Sequence, residues 1–178
     1  MESKLVSLPQ EMARREKIEK SAGVDGTTSL APQIFQGLAA VFEHEEIVTF
    51  RYVTPEWNVS HDKYAELFGV TRELFGRSHI PNFNTEVGRK YLLKTRNAHY
   101  EYRDDFHMGD TILIQMFVAE VNQASFVLKA EFINKETGKV HATGQQKIVY
   151  AKMDGKADRI PSDFKALLMY LLDTNPKA

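Results

Sequence analysis

The spacing of apolar residues changes period along this chain, from helical to alternating, and that change organises the fold. Between residues 61 and 77, Tyr64, Leu67, Phe68, Thr71, Leu74 and Phe75 recur at helical spacing through more than three turns. The stripe is broad, so it predicts a helix packed deep against a sheet. Ser60 or Asp62 suits its N-cap, and Gly76 its end. Before it, residues 47–53 are rich in β-branched and aromatic side chains and predict a strand ended by Pro55. After it come four strands, over 91–103, Thr111–Val121, Ser125–Asn134 and 140–153. In the second, Ile112, Ile114, Met116 and Val118 alternate with Leu113, Gln115 and Phe117; in the third, Phe126, Leu128, Ala130 and Phe132 share a face.

The turns between these strands are short, which forces antiparallel pairing, since parallel neighbours need a crossover of about a dozen residues or more. Gly138, in the hairpin loop 135–139, sits where a positive φ is needed. A C-terminal helix is expected from 161 to 172 with Ser162 as N-cap, and residues 31–42 read as a short helix or an irregular cover. Residues 9–20 read as a charged helix candidate with few apolar positions, and 21–29 as a linker containing glycine and threonine. The expected organisation is an N-terminal helical arm and linker over 1–29, then an α+β domain over 30–178 with one long helix wrapped by an antiparallel sheet.

Composition narrows the partners. At 178 residues with 43% hydrophobic content, the chain can bury a core without staples. A net charge of −1 provides no basic field, so nucleic acid is not an expected partner. The absence of cysteine excludes thiolate catalysis, disulfides and cysteine-ligated metals. No apolar run approaches the roughly 18 residues that span a bilayer, so membrane insertion is not expected and a cytoplasmic location is.

Candidate chemistry gathers in the loop before the long helix. Glu56 could act as general base on water, or be a solvated carboxylate near a helix start. Asn58 could donate to a developing oxyanion, or bond its own backbone in a turn. His61 could orient water, or pack half-buried. Backbone amides from Val59 to Asp62 could polarise a carbonyl. Trp57 could line an acyl tunnel or cover a core edge; Val59, Tyr64 and Phe68 are further substrate-binding candidates, the last two being most simply core residues of the apolar stripe. Arg72 could pair with Glu73 or a neighbouring subunit's carboxylate, or stabilise a reacting carbonyl. His99, His107 and His141 have no ligand spacing with His61, so no metal site is expected.

Tyr64 with Arg72-Glu73, the turn His107-Met108-Gly109-Asp110, Thr137-Gly138 with Ala142-Thr143-Gly144, and Ile160-Pro161 occur in an order that resembles the hotdog-fold thioesterase superfamily. The likeness is to its 4-hydroxybenzoyl-CoA thioesterase-like branch and covers about residues 47–172. Many members of that branch carry a catalytic aspartate at the position Thr54 fills here. Asn58-Val59, Gly69, Arg72-Glu73 and Phe75 are similar to the thioesterases of enediyne polyketide biosynthesis, which lack a catalytic acid. The resemblance implies a hydrolase of acyl-CoA or acyl-carrier-protein thioesters that needs no cofactor. The alternative is a weak or inactive acyl-binding module on the same fold. It also implies a homodimer or higher oligomer, such as a homotetramer, with sites near the subunit interface, for which strand 91–103 is the expected edge.

Overall fold

The computed structural model describes residues 35 and 37–177. The expected arm and linker, 1–29, lie outside the described residues. The elements in chain order are β1 (Val41–Ile47), α1 (His61–His79), α2 (Phe83–Glu86), β2 (Leu92–Tyr102), β3 (Thr111–Val121), β4 (Ser125–Asn134), β5 (Val140–Ala151) and α3 (Ser162–Asp173). The strands form one antiparallel sheet in the order β1-β3-β4-β5-β2, so β2 is an edge, as expected for the strand beginning near residue 91. Register shifts between Thr95 and Asn97, Val118 and Glu120, and Phe132 and Ile133 bend three of its four ladders.

The inward rows predicted for β3 and β4 are those that are buried. Ile112, Ile114, Met116 and Val118 meet Phe126, Leu128, Ala130 and Phe132 on the face that receives α1. From α1, Tyr64, Leu67, Phe68, Thr71 and Phe75 enter the same core. Each large side chain buried there contributes roughly 1.5–3 kcal/mol. Gly138 has φ +70°, as its hairpin requires. Among the described residues, no helix is long and apolar enough to cross a membrane.

Apart from shifts of one or two residues at the ends of β2, β5 and α3, three expectations are corrected. The first strand is Val41–Ile47, not 47–53. Its outward Glu43 and Glu45 are matched by Gln115 and Lys135 across the sheet surface, and such charges hide a strand from a hydrophobicity reading. Residues 48–52 instead turn, with Val48 and Tyr52 buried and Phe50 exposed. Helix α1 continues past Gly76, because His79 is buried and places Nε2 2.9 Å from the Ala39 carbonyl. At α3 the N-cap is Pro161 and Ser162 is already helical. Proline fits there because the first residues of a helix need no N–H donor.

Candidate active site

The loop from Thr54 to His61 is closed on itself. The Thr54 N–H donates to the Asn58 carbonyl (2.8 Å), and the Trp57 N–H to that of Thr54 (2.9 Å). The Thr54 hydroxyl donates to Asn58 Oδ1 at 2.5 Å and accepts the Glu56 N–H at 3.2 Å. The Asn58 side-chain carbonyl is therefore held, which orients its amide group. Trp57 turns the chain at φ +68°, a left-handed conformation rare for a bulky residue. Trp57 is 53% exposed, and its ring lies 5.6 Å from that of the exposed Phe50. Glu56 is exposed as well.

The backbone amides of this loop are only partly available. Those of Val59 and Ser60 donate to the carbonyls of Phe106 (2.8 Å) and Tyr52 (3.0 Å). Among the described residues those of His61 and Asp62 have no main-chain acceptor at the start of α1, and the Asp62 amide bonds its own carboxylate. A hydrogen bond from the Ser60 hydroxyl, with Lys63 nearby, holds the Asp62 carboxyl below the usual carboxylate range. His61 is exposed; its carbonyl accepts from the Tyr102 hydroxyl (3.2 Å), and its ring lies 6.1 Å from that of Tyr102. Tyr64 is buried among the rings of Tyr102, Phe106 and Phe132, and burial, with Asp105 adding to it, pushes its hydroxyl pKa up. Phe68 is fully buried and meets Tyr100 edge-on at 6.0 Å.

Arg72 lies elsewhere. Its Nη1 donates to Thr95 Oγ1 (2.6 Å) on β2 and to Gln146 Oε1 (2.7 Å) on β5, and Gln146 Nε2 donates to the Tyr100 hydroxyl (2.9 Å). Burial pulls the guanidinium below its ordinary pKa. Its hydrogen-bond partners are all neutral; Glu73, which pairs with Arg77, attracts it only through space. Arginine stays charged nonetheless, so this is a half-buried cation with no ion-pair partner among the described residues. It lines a cavity of about 270 Å³ whose other walls include Phe75, Ile80, Phe83, Leu93, Phe126, Leu128 and Ile148.

The structure thus brings Thr54, Glu56, Trp57, Asn58, Val59 and His61 together at the start of α1, with Tyr64 and Phe68 in the core behind them. Trp57 is not part of the cavity lining. Arg72 is eleven residues into the helix from His61, or about 16 Å at 1.5 Å per residue, so one chain does not unite it with the loop. Sequence reasoning missed the cavity residues Gly76 and Phe83, and Glu73 as a carboxylate on the cavity wall. A glycine inside a helical pattern, followed by a lone phenylalanine beyond it, was the available signal. Among the described residues no group of three or more His, Asp or Glu side chains could hold a metal ion.

A family model described as the thioesterase-like superfamily matches residues 48–168, more than half of the chain. Among solved structures, a hypothetical protein from Staphylococcus aureus in complex with CoA is 17% identical with a TM-score of 0.71, over 76% of this chain and 86% of that one. The dynemicin thioesterase is 19% identical with a TM-score of 0.66, over 72% and 95%. A 1,4-dihydroxy-2-naphthoyl-CoA thioesterase from Synechocystis is 15% identical with a TM-score of 0.66, over 72% and 96%. At such identities these likenesses establish the shared hotdog fold. No curated protein sequence matches the chain.

Proposed function

The chain belongs to the thioesterase-like superfamily, and on that footing we propose that it hydrolyses acyl thioesters, with the acyl group in the cavity beside Arg72 and the thioester carbonyl at the guanidinium. The observation that carries this reading is the half-buried charge of Arg72, which makes no ion pair among the described residues, at the wall of an apolar cavity. When water attacks a thioester, negative charge develops on the carbonyl oxygen. A fixed cation in a site of low dielectric constant stabilises that charge far more than it would in water. Thioesters are already activated, so positioned water and a dry acyl site supply much of what remains.

The loop at the start of α1 belongs to this site through a second copy of the chain. Strand β2 is an open edge, and a strand that pairs with its own copy about a twofold axis runs antiparallel to it. Near the start of β2, Thr95 holds Arg72; at its end, the Tyr102 hydroxyl holds the His61 carbonyl. Pairing would therefore bring the Arg72 end of each copy beside the other copy's loop. In that arrangement the Asn58 amide group and the His61 amide add donors for the oxyanion. Glu56 or His61 from the loop aligns water, with Glu73 on the cavity wall as a further carboxylate.

Thr54 favours a second reading, an acyl-binding module without turnover, because its hydroxyl is held by Asn58 and cannot serve as an anionic base or nucleophile. A panel of aliphatic and aromatic thioesters of CoA and of acyl carrier protein, followed by free-thiol release, separates the two. Hydrolysis that falls about 10²–10³-fold in Arg72→Gln supports the hydrolase. Absence of thiol release with every substrate, alongside measurable acyl binding, supports the module.

A further inference from the structure

We infer that Phe83, seated on Gly76, sets the length of the acyl chain this cavity accepts, and that a straight chain of about ten carbons fills it. The inference rests on the reading that the cavity holds the acyl group. A dry apolar cavity of about 150 Å³ holds one benzene ring, so roughly ten carbon atoms fit in the space found here. That space is 270 Å³ and is walled by Phe75, Ile80, Phe126, Leu128 and Ile148. These are surfaces that solvate an alkyl chain and reject a hydrated one.

Arg72 and Gly76 are one helical turn apart on the same side of α1, and both line the cavity. Phe83 opens the one-turn helix α2, just after Asn82 at φ +55°. Its ring occupies the space that glycine leaves open: a Cβ on Gly76 would lie 2.3 Å from Cε2 and 2.6 Å from Cζ of Phe83. Glycine inside a helix costs stability relative to alanine, and here its effect is to seat a ring against the helix backbone. Phe83 is only half-buried, on a short element beside the core, so removing its ring lengthens the cavity without taking out a central side chain.

The test measures kcat/KM for straight-chain acyl-CoAs from butyryl to stearoyl, on the wild type, Phe83→Ala and Phe83→Leu. The wild-type profile should rise by about fourfold per methylene, the factor that burying one methylene contributes, and then fall beyond about ten carbons. Phe83→Ala frees about the volume of a phenyl ring and should move the optimum up by about four to six carbons, while Phe83→Leu moves it less. Calorimetric binding of free fatty acids of the same lengths provides a readout that does not depend on turnover, and it should shift in parallel. If the variants hydrolyse thioesters with the wild-type profile, this inference fails while the hydrolase reading stands. If the wild type cleaves no thioester, the hydrolase reading fails, and the inference is then overturned by fatty-acid binding that ignores length or the Phe83 substitution.

Discussion

Gly76→Ala should change sign with its background. In the wild type, the new Cβ would stand 2.3, 2.6 and 2.8 Å from three ring atoms of Phe83, so the ring must leave its seat. Overpacking of this kind costs about 1–3 kcal/mol. Against that, alanine is better than glycine in a helix interior by about 1 kcal/mol. The net expectation is a loss of about 1 kcal/mol in a protein that keeps Phe83. With Phe83 already replaced by alanine the clash is gone, and the same substitution should gain about 1 kcal/mol. The assay is urea denaturation of the wild type, both single variants and the double variant at one protein concentration, so that association does not shift the midpoints. The expected coupling is about 1–3 kcal/mol. Equal effects of Gly76→Ala in both backgrounds would refute the packing of Phe83 on the helix.

Trp57→Gly should leave stability within about 1 kcal/mol of wild type, because relief at a left-handed φ offsets the lost contact with Phe50; thermal unfolding checks this, and a loss above about 3 kcal/mol would mean the ring is more than a surface feature. Tyr52→Phe removes the 2.7 Å hydrogen bond to Glu46 and should cost about 1 kcal/mol in chemical denaturation. Burial, with that bond adding to it, pushes the Tyr52 hydroxyl up to about 12. A raised pKa stabilises the fold fully below the unfolded value of about 10 and is lost as pH rises through the folded value. Ultraviolet titration should therefore show one fewer late-ionising tyrosine in Tyr52→Phe, and its stability should fall less steeply above pH about 10.

Much of the fold was legible because its elements obey one period each. The stripe from Tyr64 to Phe75 and the alternation in β3 and β4 fix which faces are buried, and the bounds of those two strands agree with the reading residue for residue. Strand β1 was not legible, since three of its seven residues are glutamates, two of them matched by partners from distant segments. Gly76 misled for a related reason: glycine usually marks a helix end, but here it marks a close approach by Phe83. At the site, the loop 54–61 stood out by its polar content before a helix. The environment of Arg72 did not, because Thr95 and Gln146 are 23 and 74 residues away and meet it only when β2 and β5 lie side by side. Nothing in the loop's composition announced that Arg72 sits three helical turns away from its side chains along α1.

Mixing two impaired variants tests the composite site most directly. Arg72→Gln spares the loop and Asn58→Ala spares the arginine, so in the proposed dimer each variant would lack one half of both sites. Unfolded and refolded together in equal amounts, half of the dimers are mixed, and each mixed dimer holds one intact site of two. Thiol release from an acyl-CoA should then recover to about a quarter of the wild-type rate, as twofold pairing of two copies requires. A mixture no more active than its components, although mixed dimers form, would contradict a site shared between two chains.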